Sequence, residues 1–391
     1  MTDPVVIVAA KRSPIGAFQG QFASLAAPQL GAVALAAAVA ECGMQEAIDE
    51  VIMGCVLHAG LGQAPARQAA LGAGLSNSIP CTTVSKVCGS AMKAAMLAHD
   101  QILAGVNQVL LAGGMESMTN APYLLPKARS GYRLGHGQLV DHMFFDGLEN
   151  PYDHQLMGFF AEQCAELYGF TRGDQDAFAA ESVRRAQRAV QNGDFNNEIA
   201  AVKVQSKKGE LIIGADETPM QCNIEKIPNL KPAFKKDGSV TAANSSSIAD
   251  GAAALVLMRE SEAKKRGITP LAKFLGHASF AQEPALFTTA PIGAINKLLG
   301  RVGWSTDEVD LYEINEAFAV VTMAAMRDLK LPHAKVNVNG GACALGHPIG
   351  ASGARIIVTL LHALKNRGLK RGVAGLCIGG GEATALALEI I

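Results

Sequence analysis

Short apolar runs rich in β-branched residues alternate with Ala-rich stretches over the first 117 residues of this 391-residue chain. The apolar runs, which predict strands, fall at 5–10, 50–57 and 108–114. The Ala-rich stretches at 27–43, which ends in Gly, and at 64–74 predict helices. Because alternating strands and helices are typical of βαβ units, this region predicts a mostly parallel sheet covered by helices.

The pattern changes between about 118 and 245, where most of the chain is polar, Gly-rich and aromatic without a clear period. One helix is predicted at 171–193: Thr171 is the N-cap, Asp174 stands three residues later, and Gly193 ends the helix. We interpret 118–245 as an insertion carried by the α/β body. Loops on rigid scaffolds commonly hold binding sites.

The first pattern returns in the C-terminal third, and a weak repeat links the two ends of the chain. Residues 88–116 resemble 350–382. Each segment has a small-residue turn, a helix with a basic residue in its first turns (Lys93 and Arg355), an apolar strand and a closing G-G-x-E. Two similar α/β halves separated by an insertion explain this likeness. Chance similarity between Gly-rich α/β segments is the alternative.

Composition narrows the class of protein. Apolar residues make up 49%, charged residues 18%, and the formal net charge is −1. The chain can therefore bury a large core, and it has no basic bias toward nucleic acid or a membrane surface. Its eight cysteines form no C-x-x-C pair, and the chain opens on a predicted strand rather than a signal peptide. We expect a soluble cytoplasmic protein with no nucleic-acid or membrane partner.

Cys88 is the first candidate for chemistry. A helix is predicted from about Ser90 to Gly105, so that its N-terminal N–H groups and dipole would favour a thiolate and lower the pKa of this thiol. Gly89 and Ser90 are small enough for a large acyl substrate to approach. The alternative is a Cys that packs in a tight turn, because Cys is among the most frequently buried residues.

His347 lies in the Gly-rich segment 337–356, between a Gly and a Pro, which predicts a loop. A loop imidazole beside a helix-start thiol is the Cys–His pairing that nucleophilic acyl chemistry requires. A structural loop His is the alternative. Cys343 lies four residues before His347, but no second pair of ligands is near in sequence, so we predict no metal site.

Two further segments carry polar groups at strand ends. Cys377 ends an apolar strand, and the N–H groups of the following glycines, 379–381, are free to bind a developing oxyanion. A packing role in a core strand is the alternative for this Cys. Asn315 lies at a strand-to-helix junction, where it either caps the helix or holds a water or carbonyl with its amide. No dinucleotide fingerprint, nucleophile elbow motif or P-loop is complete.

Together, the segments "VSKVCGSAMKA", "NEAFA", "NVNGGACALGHPIGASGARI" and "CIGGGEA" resemble the signatures of the thiolases, specifically of their acetyl-CoA acetyltransferase branch. The likeness extends over essentially the whole chain. It implies a duplicated five-layered α/β/α/β/α fold with an inserted loop domain for coenzyme A (CoA). The N-terminal half would be 1–117, completed by about 246–268, the loop domain 118–245, and the C-terminal half 269–391.

The resemblance implies a role for each chemical group. Cys88 matches the nucleophile that accepts the acyl group as a thioester, and His347 matches the residue that activates this thiol and helps to hold the thioester oxygen. Cys377 matches the general base that removes the α-proton of the second acetyl-CoA. Asn315 matches the residue that positions a water in one oxyanion hole. The N–H groups of Cys88 and Gly379 match the second hole.

The same resemblance implies the substrate-binding positions. Ser246 matches a serine that contacts the pantetheine arm of CoA, and Met157 and Phe318 match pocket positions, with Phe234 and Leu148 as further candidates. The implied reaction is the reversible condensation of two acetyl-CoA to acetoacetyl-CoA and CoA by a ping-pong mechanism. CoA thioesters are expected as substrates without a permanently bound cofactor. The assembly is expected to be a homotetramer made of two dimers.

Two departures from the family pattern affect specificity. The stretch 156–162 reads Leu-Met-Gly-Phe-Phe-Ala-Glu where short-chain biosynthetic members commonly have His-Met-Gly-Thr-Thr-Ala-Glu, so we expect Phe159 and Phe160 to reshape the acyl pocket. Ser247 stands where Gly is usual. A 3-ketoacyl-CoA thiolase of broader chain length and a non-catalytic CoA- or lipid-binding protein of the same fold are the alternative functions; Cys377 argues against a ketoacyl synthase.

The CoA 3′-phosphate is expected in a basic stretch that could equally be a solvated face. Its members are Lys203, Lys207, Lys208, Lys226, Lys231 and Lys235.

Overall fold

The computed structural model describes residues 3–207 and 209–391. The helices are α1 (Ala27–Cys42), α2 (Pro65–Gly72), α3 (Ser90–Leu103), α4 (Met157–Tyr168), α5 (Arg172–Asn192), α6 (Glu260–Lys265), α7 (Ala290–Val302), α8 (Ala319–Asp328), α9 (Ala342–Leu345) and α10 (Ser352–Arg367). The strands are β1 (Val5–Arg12), β2 (Gly16–Ala17), β3 (Glu50–Gly54), β4 (Cys81–Val84), β5 (Val109–Ser117), β6 (Tyr123–Leu124), β7 (Val140–Asp141), β8 (Val202–Ser206), β9 (Gly209–Ile213), β10 (Ala249–Arg259), β11 (Ala272–Ala281), β12 (Leu311–Ile314), β13 (Arg371–Ile378) and β14 (Glu382–Ile390). The elements predicted in the first 117 residues are confirmed.

Ten strands form one sheet in which two similar halves meet. The N-terminal half has the order β4-β3-β5-β10-β1 and the C-terminal half the order β12-β13-β14-β11, and the tenth strand, β2, pairs with β10. The halves join where β1 pairs with β11, Val6 opposite Lys273 and Ile7 opposite Ala272. Strand β10 follows the insertion in the chain and lies between β5 and β1.

The strands of residues 1–117 all run in one direction, as predicted, but the complete sheet is mixed because later strands run the opposite way. In the N-terminal half β3 is parallel to β4 and β5, while β10 is antiparallel to both β5 and β1. The C-terminal half repeats this arrangement: β12 is parallel to β13, and β14 is antiparallel to both β13 and β11. Strands β13 and β14 are antiparallel because the connection between them is too short for the crossover that a parallel pair needs.

Helices cover both faces of each half and produce five layers, which confirms the predicted fold class. Helices α1 and α2 pack on the outer face of the N-terminal half, and α7 packs on the outer face of the C-terminal half. Helices α3 and α10 lie between the halves. Helix α10 is buried on every side from Ser352 to Leu364, as expected of a helix that packs between the two halves of the sheet.

The sequence repeat corresponds to a structural repeat, except at its end. Helices α3 and α10 begin with Ser90 and Ser352, and each is followed by an equivalent strand, β5 or β13. The closing G-G-x-E segments do not coincide. Gly113 and Gly114 lie inside β5, whereas Gly379 begins the turn that joins β13 to β14.

The insertion contributes the predicted long helix and a buried ionic contact. Helix α5 has Thr171 as its N-cap, with the Thr171 hydroxyl accepting from the N–H of Asp174, and it ends at Gly193 in the left-handed conformation (φ 74°). Farther along, Glu198 and Asp216 bind the fully buried Arg12 of β1, at 2.5 and 2.7 Å. This contact ties the insertion to the central sheet. Within the described residues no helix is long and apolar enough to cross a membrane.

Candidate active site

Cys88 lies in a strained turn between β4 and α3. Val87, immediately before it, has a φ of 46°, which is unfavourable for a β-branched side chain. The Ser90 hydroxyl holds this turn because it donates to the Val87 carbonyl oxygen at 2.7 Å and accepts from the Lys86 N–H at 2.8 Å. A Cβ on Gly89 would lie 2.3 Å from the end of the Ile378 side chain, so any larger residue would require Ile378 to shift.

The Cys88 thiol is protonated at neutral pH. Burial raises its pKa to about 11, and the N–H groups of Gly379 and Cys88 itself, which favour the thiolate, offset only part of this effect. The expectation that the helix N-terminus would lower the pKa is therefore wrong. The loss of solvent around the sulfur outweighs the dipole and hydrogen bonds that the turn supplies.

His347 lies in the loop between α9 and α10, as predicted, and its environment fixes the tautomer. Its backbone N–H donates to the Ser247 carbonyl oxygen at 3.0 Å. Its Nδ1 lies 2.6 Å from the Ser352 hydroxyl, which donates its own hydrogen to the Pro348 carbonyl oxygen. Nδ1 must therefore carry the proton, and Nε2 is the nitrogen left to accept one.

The imidazole is neutral over the ordinary pH range. Burial, and after it the positive charge of Arg355, lowers the pKa of His347 to about 3. A neutral ring with a free Nε2 is the form that a proton acceptor requires.

Asn315 does not cap a helix, so that interpretation of the strand-to-helix junction is wrong. Helix α8 begins only after Phe318, which remains in extended conformation. The Asn315 amide nitrogen lies 3.4 and 3.5 Å from Nδ1 and Nε2 of His347, and its oxygen accepts from the Arg355 guanidinium at 3.3 Å. The Asn315 side chain therefore contacts buried residues of the C-terminal half and not the backbone of helix α8.

Cys377 and Gly379 approach Cys88 from the end of β13. The pKa of the Cys377 thiol lies well above its ordinary value, first because it is buried and then because the Cys88 thiol is close. The Gly379 N–H is near enough to the Cys88 sulfur to favour its thiolate form. Both thiols are therefore neutral in the substrate-free protein.

One cavity of about 350 Å³ brings most of the predicted residues together. Nine of the ten line it, and Asn315 lies behind the His347 ring instead. The nine are Cys88, Leu148, Met157, Phe234, Ser246, Phe318, His347, Cys377 and Gly379. Leu156 also lines the cavity. Phe159 and Phe160 do not; they pack in the neighbouring hydrophobic cluster, because they lie on another side of α4.

Several residues at the site were not selected from the sequence. Phe144, Phe287 and Ile349 add to the mainly apolar lining, and no motif marks them. Ser247 positions His347 through its carbonyl oxygen, while its buried hydroxyl has no hydrogen-bond partner among residues 3–207 and 209–391. Ser352 occupies the place in α10 that Ser90 has in α3, so comparing the two repeats could have found it.

The basic stretch is not a single patch around the cavity. Lys203 lies on the β8–β9 hairpin and pairs with Glu210 at 3.2 Å. Lys235 pairs with Glu166 at 2.5 Å and directly follows the cavity residue Phe234. Lys208 lies outside the described residues.

A duplicated five-layered fold that encloses two thiols and an imidazole in one cavity is the architecture of a thiolase-type enzyme. Residues 5–261 match the family model "Thiolase, N-terminal domain", and residues 268–390 match "Thiolase, C-terminal domain". The chain belongs to the thiolase family.

Relatives in bacteria and plants have similar sequences over nearly their whole length. The acetyl-CoA acetyltransferase of Pseudomonas aeruginosa is 49% identical over 387 residues, covering 98% of each chain. Acetyl-CoA acetyltransferase 2 of Arabidopsis thaliana is 50% identical, covering 99% of this chain and 97% of its own.

Two solved structures are similar in fold. The crystal structure of the Bacillus anthracis acetyl-CoA acetyltransferase is 43% identical, with a TM-score of 0.97 over 100% of this chain and 99% of its own. A thiolase from Ascaris suum in complex with CoA is also 43% identical, with a TM-score of 0.93 over 99% of this chain and 100% of its own.

Proposed function

We propose that this protein is an acetyl-CoA C-acetyltransferase that condenses two acetyl-CoA to acetoacetyl-CoA and CoA, reversibly and by a ping-pong mechanism. The observation that carries the proposal is the convergence of Cys88, His347, Cys377 and the Gly379 N–H on one cavity. Acyl transfer between thioesters needs a covalent carrier, a base and a site for a negative oxygen, and these groups supply all three.

In the first half-reaction the Cys88 sulfur attacks the carbonyl carbon of acetyl-CoA. Nε2 of His347 takes the thiol proton as the new C–S bond forms, because both groups are neutral beforehand. The tetrahedral intermediate then collapses, the bond to the CoA sulfur breaks, and His347 returns the proton to that leaving thiolate. CoA departs and an acetyl thioester remains on Cys88.

In the second half-reaction a second acetyl-CoA occupies the cavity. The Cys377 thiol gives its proton to Nε2 of His347, and the resulting thiolate removes the α-proton of this acetyl-CoA. The carbanion attacks the acetyl carbonyl on Cys88, and acetoacetyl-CoA leaves when the bond to the Cys88 sulfur breaks. The Cys88 thiolate takes the proton from Cys377, and His347 returns its proton to Cys377, so that all three groups are neutral again. Because Cys377 lies close enough to influence the Cys88 thiol, the transfer between the two sulfurs needs no large rearrangement.

Two sites for negative oxygen complete the mechanism. The N–H groups of Cys88 and Gly379 form one, since both already favour charge on the Cys88 sulfur. His347 and a water held by Asn315 form the other. Ser246, Met157, Phe234, Phe318 and Leu148 bind the pantetheine arm and the acyl group.

Acetylation of Cys88 tests this function directly. Incubation of the purified protein with acetyl-CoA should add one acetyl group to the peptide that contains Cys88, and Cys88→Ser should remove the modification. Cys222→Ser is the matched control, because Cys222 is also free and partly exposed but lies outside the cavity. A wild-type protein that gains no acetyl group would favour the non-catalytic CoA-binding alternative.

Chain-length specificity needs a separate test, because the cavity lining is mainly apolar and includes Leu156 and Phe144. We propose a preference for acetyl transfer. Thiolysis rates across 3-ketoacyl-CoA substrates of increasing length should be greatest with acetoacetyl-CoA. A maximum at longer chains would instead identify a 3-ketoacyl-CoA thiolase of broader range.

We also propose the domain division, assembly and location inferred from the sequence: 1–117 with 246–268, 118–245 and 269–391, in a cytoplasmic homotetramer. The assembly is supported by exposed apolar side chains in the insertion, among them Tyr123, Leu134 and Leu139, which are 62%, 98% and 63% exposed. The location is supported by the eight cysteines, none of which is paired with another, since unpaired cysteines are typical of a reducing compartment. Light scattering of the purified protein would measure the assembly.

A further inference from the structure

Arg355 is a buried cation behind the cavity whose purpose the reaction scheme leaves open. It is 2% exposed and is the fourth residue of α10. One guanidinium nitrogen binds Glu313 Oε1 at 2.8 Å, and another donates to Asn315 Oδ1 at 3.3 Å. The Arg355 Nε is buried without a hydrogen-bond partner among the described residues, which is unfavourable for a polar group.

A buried ion pair alone does not explain this arrangement. Replacing such a pair with apolar side chains of similar volume is often neutral or stabilising, so structure alone does not require arginine here. The contact with Asn315 gives the guanidinium a second purpose, because it is directed at a residue that touches His347.

The guanidinium determines which way the Asn315 amide points. Arginine has donors and no acceptor, so only the carbonyl end of the amide can face it. The amino end must then face the His347 ring, where its nitrogen lies 3.5 Å from Nε2, the ring nitrogen that carries no proton. Without Arg355 the amide could rotate and present its oxygen to the ring, which would remove a donor from the oxyanion site.

We propose that Arg355 is a positioning residue for acyl transfer, one that fixes the Asn315 amide with its amino group toward His347. This inference rests on the proposed function. The carboxylate of Glu313 in turn holds the guanidinium in place through its 2.8 Å contact.

The charge of Arg355 supports the same role. Among the titratable side chains near His347 and Arg355, Cys88 and Cys377 line the same cavity as His347, and Glu313 and Glu316 feel the charge of Arg355. Burial raises the pKa of Glu313 and that of Glu316, while the charge of Arg355 opposes this shift and favours both carboxylates. A nearby cation disfavours the imidazolium, so loss of Arg355 raises the pKa of His347 and moves the acid limb of the activity profile toward neutral pH.

The chain offers a matched control for testing this role. Lys93 is the fourth residue of α3, as Arg355 is of α10, and its side chain makes no hydrogen bond or ion pair within the described part of the chain. We expect Arg355→Met to lower kcat for thiolysis of acetoacetyl-CoA about a hundredfold, the size of a small mispositioning of a catalytic group. KM should change less than about threefold, and Lys93→Met should leave both constants near wild type.

A second variant separates positioning from folding. Arg355→Met leaves the buried Glu313 without its cation, whereas Arg355→Met combined with Glu313→Gln removes both charges. We expect the double variant to recover thermal stability while kcat remains low, because Asn315 is still unrestrained. Recovery of kcat together with stability would overturn the proposal, as would wild-type kcat in Arg355→Met.

A third measurement does not depend on turnover. In ¹⁵N-histidine NMR titrations, with the His347 signal assigned from its loss in His347→Gln, the pKa of His347 should rise in Arg355→Met and stay unchanged in Lys93→Met. A wild-type protein without thiolase activity would refute the proposed function but leave this shift measurable. An unchanged His347 pKa in Arg355→Met would overturn the inference about Arg355 even in an active enzyme.

Discussion

The turns that precede α3 and α10 occupy equivalent places in the two halves, yet they bring different groups to the same cavity. In both, the first serine of the helix donates its hydroxyl hydrogen back into the turn, Ser90 to Val87 and Ser352 to Pro348. This shared contact fixes the start of each helix against the preceding loop.

The two serines differ in the group that donates a hydrogen bond to the hydroxyl oxygen. Ser90 accepts from the backbone N–H of Lys86, so its role is confined to the shape of the turn. Ser352 accepts from Nδ1 of His347 and thereby selects the tautomer of an imidazole. The two turns therefore have the same geometry but different roles. The Ser90 oxygen accepts a hydrogen bond from the backbone, whereas the Ser352 oxygen accepts one from the imidazole of His347.

The pH dependence of cysteine alkylation gives the largest expected contrast between the turns. Because the pKa of Cys88 is about 11, the thiolate fraction should rise about tenfold for each pH unit between pH 7 and 10. The rate of Cys88 alkylation by iodoacetamide, followed by mass spectrometry of its peptide, should rise in parallel. His347 is neutral throughout this range, so its titration adds no inflection to the plot of alkylation rate against pH. A plateau below pH 8 would contradict the raised pKa.

Removing each serine hydroxyl is the next contrast. Ser352→Ala should lower kcat for acetoacetyl-CoA thiolysis about tenfold to a hundredfold, because His347 loses the partner that fixes its tautomer and orientation. Ser90→Ala should cost mainly stability, about 1 kcal/mol from the lost hydrogen bonds. Kinetics and thermal unfolding of both variants would measure the difference. Equal effects of the two variants on kcat would show that the hydroxyls have the same role.

Relieving the strain beside Cys88 should have the smallest effect. Asn adopts positive φ more readily than Val, so Val87→Asn should stabilise the protein by about 1 kcal/mol. Chemical denaturation would measure this gain, and Val84→Asn, which changes a residue of β4 in ordinary strand conformation, is the control that should not be stabilised. A loss of stability in Val87→Asn would mean that packing of the valine outweighs its strain.

Local chemistry made much of this structure predictable. Helix α5 was predicted from its Thr171 cap and its Gly193 end, since both act within a few residues. The placement of Cys88 before a helix and of His347 in a loop also followed from neighbouring small residues. Cys88 and His347 are far apart in sequence, so the prediction that they belong to one site depended on the family resemblance.

The errors come from contacts between distant segments. The Asn315 interpretation failed because its partners, His347 and Arg355, follow it by 32 and 40 residues. The pKa of Cys88 was misjudged because the helix start is visible in the sequence, whereas the enclosure of the sulfur is not. Phe159 and Phe160 were expected to reshape the acyl pocket, but they do not line the cavity and pack behind its lining residues, because spacing within a motif does not show which side of a helix faces a cavity.

The position of β10 has a consequence for how the protein is made. This strand lies between β1 and β5, but it is encoded after the whole insertion. During synthesis the N-terminal sheet therefore cannot close until residues 249–259 have left the ribosome, and until then the apolar strands β1 and β5 have open edges. Nascent chains that stop within the insertion should consequently depend on chaperones, whereas chains that extend past Arg259 should hold a completed first half.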